Sequence, residues 1–216
     1  MDKPPRGFTL IELLIVVAII AILALIAVPN FLEAQVRAKV SRVVSDLRTV
    51  ATAVEAYAVD VNDYPRNFED RFWTISPDLT TPVSYLSTIT FIDPFAVYKE
   101  TDPLVGSSNY TYHRILPWPF PPSLPRNHWP PEESTDAPVP DGNLWALRKY
   151  GQWRLISIGP DRDYIGPGWE QYYSSGQRDV VYRMIETPYD PTNGTISQGN
   201  IARTQLSSTG QVQQVP

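Results

Sequence analysis

The chain contains no cysteine, which excludes disulfides, thiol nucleophiles and cysteine-held metals. It has two histidines, His113 and His128, and neither stands beside a nucleophile motif. G-x-S-x-G, H-E-x-x-H and the glycine-rich phosphate loop are all missing. The adjacent carboxylates Glu132-Glu133 fall in a proline-rich stretch and read as a solvated acidic patch rather than a catalytic pair. The chain therefore reads as a non-enzyme. Excess positive charge is missing as well. Lysine and arginine number 18 against 23 acidic residues, for a formal charge of -5, which gives no support for a broad nucleic-acid-binding surface.

What is present is concentrated at the N-terminus. From Phe8 to Val28 the sequence is apolar with one charge, Glu12. As a helix rising about 1.5 Å per residue, this run covers roughly 30 Å, enough to cross a hydrocarbon core. Lys3 and Arg6 precede it, and the positive-inside rule places that end in the cytoplasm. A secretory signal peptide fits the basic start and the apolar core, but no strict A-x-A site lies near Ala24 to Ala27. A plain anchor leaves Glu12 unexplained.

Past Pro29 the apolar residues become periodic. Val36, Val40, Val43, Leu47, Val50, Val54, Tyr57 and Val61 step by three and four and draw one stripe along a helix. Arg37, Lys39, Arg42, Asp46, Arg48 and Glu55 mostly fall off it. The two halves join into a helix from Phe8 to about Val61, roughly 80 Å long. Pro29 has no N–H to offer the carbonyl of Leu25, so a bend or loosening is expected just before it. The helix should stop in Asn62-Asp63-Tyr64-Pro65.

The remainder, residues 62–216, reads as a β-rich body. Candidate strands are Asn109 to Leu116, Trp153 to Ile158, Val180 to Ile185 and Asn200 to Leu206, with Asn193-Gly194 as a hairpin turn between the last two. The expected architecture is α+β, with a small antiparallel sheet laid on the second half of the helix. Between the first two strands lies a proline-rich loop, 117–143, whose prolines forbid ladder pairing. It is either a solvated loop over the sheet or a partner surface anchored by Trp118, Phe120 and Trp129.

Asp161-Arg162-Asp163-Tyr164-Ile165-Gly166 copies the opening of a calcium loop and then departs from it. Ile165 replaces a ligand, and Tyr172 stands where the bidentate glutamate belongs, so this is not an EF-hand. A Ca²⁺ site using Asp161, Asp163 and Asp179 and a plain Gly/Pro/Asp turn are both open readings.

The segment "RGFTLIE" (Arg6 to Glu12) resembles the prepilin signature of type IV pilins and of the pseudopilins of type II secretion. The resemblance implies cleavage by a prepilin peptidase after Gly7 and N-methylation of Phe8. It also implies an assembly role for Glu12 opposite Phe8, and a helix-bending role for Pro29. On this reading residues 1–7 are a leader peptide, 8–28 a transmembrane helix and 29–61 its amphipathic continuation. "DVNDYP" and Asp93-Pro94-Phe95 are similar to turns that follow the long helix in major pseudopilins, and "SIGPD" is similar to their calcium loop. The proline-rich loop departs from the shorter members.

The implied function is that of a homopolymeric filament subunit held in the inner membrane, with its body in the periplasm. The implied partners are the peptidase, a platform protein, an assembly ATPase and minor pseudopilins. A pseudopilin of type II secretion is the leading form, and a true pilus subunit is the alternative. A monomeric membrane-anchored binding module is the rival from another class.

Overall fold

The structure is a computed structural model that describes residues 8–66, 75–96, 109–115, 147–148, 150–162, 189–190, 197 and 199–207. One helix dominates it. Helix α1 runs Leu10–Val61 over 52 residues, about 78 Å at the usual rise. It begins where Thr9 adopts an extended backbone as N-cap, and it ends where Asn62 turns left-handed at φ 56°. Asparagine tolerates that conformation better than most side-chain-bearing residues. Pro29 lies inside α1 and does not interrupt it.

The two halves of α1 live in different surroundings. From Phe8 to Leu32 the large apolar side chains are exposed, from Leu10 at 81% to Val16 at 45%. Further on, Val43, Leu47, Val50 and Val54 are buried together with Ala51 and Ala53. Val36, Val40 and Tyr57 pack at the edge of the same core. The expected stripe is therefore present, with one correction: Val61 is 49% exposed. At the last residue of the helix the chain is already turning away, and none of the described residues buries that position.

Three short strands follow: β1 Thr111–Arg114, β2 Trp153–Ser157 and β3 Ile201–Thr204. They form an antiparallel sheet in the order β1-β2-β3, in which Tyr112 faces Leu155 and Leu155 faces Arg203. All three fall inside expected strands, trimmed at the ends. The expected strand Val180 to Ile185, the Asn193-Gly194 hairpin and the proline-rich loop 117–143 lie outside the described residues. Tyr112, Trp153, Leu155 and Ile201 join the core with the buried stripe of α1, and Ile75, Leu79, Leu86, Phe95 and Tyr110 close it. A single tapered core thus sits between the sheet and the second half of the helix.

Polar bonds rim that core. Asp46 accepts from the Tyr110 hydroxyl at 2.9 Å. Glu55 accepts from Trp153 Nε1 at 2.8 Å and from the Tyr64 hydroxyl at 3.2 Å. Asp60 accepts from the Tyr85 hydroxyl at 2.7 Å. The turn that ends α1 is held as well. Arg114 pairs with Asp63 and donates to the Tyr64 carbonyl, while the Tyr112 hydroxyl donates to the Pro65 carbonyl. On the sheet's other face, Arg154 Nε donates to His113 Nδ1 at 3.0 Å, and both residues are buried.

The buried phenols make the body sensitive to alkali. Burial pushes the Tyr110 and Tyr112 hydroxyls well above the ordinary value of 10.0, and the Asp46 carboxylate raises Tyr110 further. A phenol raised in the folded state stays neutral there after the unfolded chain has ionised. The stability it confers is therefore full below about pH 10 and is lost as the pH climbs toward the folded values. In detergent, the phenolate absorbance of the chain should rise in two stages. The buried Tyr110 and Tyr112 should ionise last, together with loss of near-ultraviolet dichroism. Tyr110→Phe should reduce the second stage.

Candidate functional site

The first site stands at the head of α1. Thr9 is extended, so its side-chain oxygen can turn back onto the first helical turn and accept the Glu12 N–H at 3.3 Å. Glu12 reaches the other way, and its Oε2 accepts from the Thr9 N–H at 2.9 Å and from the Thr9 hydroxyl at 2.7 Å. This is a capping box, in which two orphan donors at a helix start are satisfied reciprocally. A single chain therefore already hydrogen-bonds the carboxylate, apart from the assembly role that the resemblance implies for it. The signal was legible as a threonine three residues before a glutamate, next to an apolar run. Phe8 projects freely beside the box, and Gly7 lies outside the described residues.

The second site is a knot of loops at the far end of β2. Asp93 is 3% exposed. Its Oδ1 accepts the Phe95 N–H at 2.9 Å and its Oδ2 the Ile158 N–H at 3.1 Å, and the Ser157 hydroxyl bonds it too. Burial raises its pKa, and these three bonds oppose the rise. Asp161 Oδ2 accepts the Gly199 N–H at 2.7 Å and so ties the loop after β2 to the start of β3. Gly159, at φ 74°, lets the two backbones approach, since a Cβ there would stand 2.3 Å from the Gly199 carbonyl oxygen. Asp161 Oδ1 and that carbonyl flank the same spot, and they are the oxygen donor types that Ca²⁺ takes. Asp163 and Asp179 lie outside the described residues. Among the described residues no three metal-capable side chains gather. The Asp93 staple was missed in the sequence, because a buried carboxylate in a D-P-F turn looks the same as an exposed one.

An apolar helix long enough to cross a membrane, capped by this box and continued into a small β-body, defines the class: a chain of pilin-like α+β architecture. Comparison with known proteins agrees. The model of the prokaryotic N-terminal methylation motif matches residues 3–28. Over 59 residues the chain is 51% identical to the type IV major pilin protein PilA of Myxococcus xanthus, covering 27% of each chain. Over 62 residues it is 50% identical to the type IV wide pilus major component PilA4 of Thermus thermophilus, covering 29% of this chain and 47% of that one. It is also 38% identical over 60 residues to the type II secretion system core protein G of Pectobacterium carotovorum, covering 28% and 38%. The matched stretch thus spans less than half the length of each of these relatives. No solved structure matches the chain.

The Asp93 staple is directly testable. Both of its oxygens accept backbone N–H groups, and an asparagine offers one acceptor and turns an NH₂ against the other donor. Asp93→Asn should lower body stability by about 1–3 kcal/mol, the usual cost of a buried polar group left unsatisfied. Chemical denaturation in detergent measures it.

Proposed function

We propose that the chain is a structural subunit of a type IV pilus-like filament, and that it acts as a pseudopilin of type II secretion. The observation that supports this reading is the sequence at the head of α1. A methylation motif leads into an exposed apolar helix whose one carboxylate, Glu12, sits about a turn beyond the cleavage point. The stapled Asp93-Pro94-Phe95 turn and the Tyr64-Pro65 turn support the pseudopilin form. The pilin relatives support a pilus subunit for adhesion or motility as the alternative.

On this reading a prepilin peptidase cuts after Gly7 and methylates Phe8. The new amine is then a cation at the edge of the apolar run. Both Thr9 contacts fall on Glu12 Oε2, so Oε1 can accept a neighbouring subunit's amine at the right axial offset. A wrong offset leaves both charges without each other in an apolar surround, so the pair sets register more than strength. Pro29 eases the bend of the helix. A platform protein, an assembly ATPase and minor pseudopilins complete the machine, with the body on the periplasmic side.

Two measurements test this. Mass spectrometry of protein from cells carrying the peptidase should show a chain that starts at Phe8 and is one methyl group heavier; an intact Met1 contradicts the reading. Glu12→Ala should insert and be cleaved yet assemble poorly beside wild-type subunits, as seen in sheared filament yield. A normal yield would remove Glu12 from assembly.

Calcium belongs to the same proposal. If Asp161 and its neighbours hold Ca²⁺, the ion adds a clamp to the Gly199 bond. A chelator should then lower the thermal midpoint, and Asp161→Ala should abolish that response. Melting curves unmoved by chelator reduce the loop to a hydrogen-bonded turn.

A further inference from the structure

We infer that the segment of α1 just beyond the apolar run is a cationic collar that binds anionic phospholipid headgroups. The inference rests on the membrane-spanning reading above. Between Glu33 and Arg48 the helix carries Arg37, Lys39, Arg42 and Arg48 against two acids, Glu33 and Asp46, in a chain whose formal charge is -5. This local excess runs against the acidity of the whole.

The placement of these cations selects the partner. At roughly 100° per residue, Arg37 and Arg48 lie on one flank of the buried stripe and Lys39 and Arg42 on the other. A protein docking from one side meets a one-sided patch. Charges on both flanks of a rod suit a layer that surrounds it. The guanidinium-bearing side chains of Arg37 and Arg42 are 73% and 63% exposed. Their ion pairs with Glu33 and Asp46 are i,i+4 surface pairs. Such pairs are weak and leave the guanidinium free to share a phosphate.

Height agrees as well. The apolar run from Phe8 to Leu32 would be about 37 Å long against a hydrocarbon core of about 30 Å, a difference absorbed by tilt. Arg37 follows Leu32 by about 7 Å and Arg42 by about 15 Å. Side chains on a helix lean toward its N-terminus, here toward the bilayer, and long cationic ones reach further still. The headgroup layer on each side is roughly 5–8 Å deep. Arg37 therefore reaches into it, with Arg42 at its outer edge. Lys39 is also held 5.7 Å from the Phe95 ring, so the collar is fixed relative to the body and orients it over the membrane.

The test uses the processed full chain in zwitterionic bilayers with trace spin-labelled phosphatidylglycerol or phosphatidylcholine, and it reads the fraction of each lipid held at the protein. The wild type should prefer phosphatidylglycerol by at least about threefold, of the order that one basic residue near an anionic surface supplies. High salt should reduce that preference. Arg37→Gln/Lys39→Gln/Arg42→Gln should bring the ratio close to unity, and Arg37→Lys/Arg42→Lys should keep it. An unchanged melting midpoint shows that the triple variant still folds. A wild-type ratio of unity overturns the inference, and so does a triple variant that keeps the wild-type ratio. A variant that keeps the ratio but loses filament yield assigns these cations to a neighbouring subunit instead. If neither lipid is held at the protein at all, the membrane-spanning reading itself fails.

Discussion

Everything in the body depends on one contact, the seating of the second half of α1 against a three-stranded sheet. A sheet this small cannot stabilise itself, since its strands are four or five residues long and need an apolar layer to pack on. The helix supplies that layer through Val43, Leu47, Val50 and Val54. The contact is bounded on the helix by Asp46, Glu55 and Asp60, each accepting from an aromatic donor on the body. Tyrosine and tryptophan suit this boundary because the ring packs on the core while its O–H or N–H reaches the wet edge. A helix stripe packed on a sheet can slide by a turn at modest apolar cost. A directed bond from Trp153 to Glu55 cannot follow such a slip without leaving a donor unpaired.

The helix was legible in the sequence almost to the residue, because the signals are local. An apolar run, a period of three to four and an Asn-Asp-Tyr-Pro stop each act within a few residues of where they are read. The strands were legible as stretches and not as boundaries. Where β1 ends is set by its partner Trp153, some forty positions away, and no local pattern carries that pairing. The same distance hid the polar rim. Glu55 reads as a solvent-facing helix residue until Trp153 is brought beside it. The head of the helix is the opposite case, since both members of the Thr9–Glu12 box are close neighbours. The bond from Gly199 to Asp161 was not legible, since it crosses a tertiary contact.

One helix thus carries two kinds of surface. Its first half exposes apolar side chains all round, which in water would be a liability and in lipid is no cost. Its second half hides a single stripe and presents charge elsewhere. Between them lies the short stretch from Phe31 to Arg42, where apolar exposure gives way to arginine and lysine within about three turns. Pro29 falls just before this change. The peptide that cannot donate to Leu25 is therefore on the apolar side, where no water stands ready to replace the lost bond. Helix α1 nonetheless runs through this point without interruption.

The capping box and the assembly reading of Glu12 appear to compete, and the chemistry of the donors resolves the conflict. In a lone subunit the carboxylate must be hydrogen-bonded if it is to sit at the edge of an apolar phase, and Thr9 provides two donors without help from any other chain. Both are neutral. An ammonium is a charge-assisted donor, and it forms a shorter and stronger bond to the same carboxylate. A neighbour's amine can therefore add to Oε1 or displace the hydroxyl while the backbone N–H of Thr9 keeps its place. On the filament-subunit reading proposed above, Glu12 would then have a donor at every stage of assembly. Threonine suits such a handover because a hydroxyl can let go and still cap the helix by accepting the Glu12 N–H. A permanent cation at position 9 would hold the carboxylate in the lone subunit and leave it nothing to gain from a neighbour.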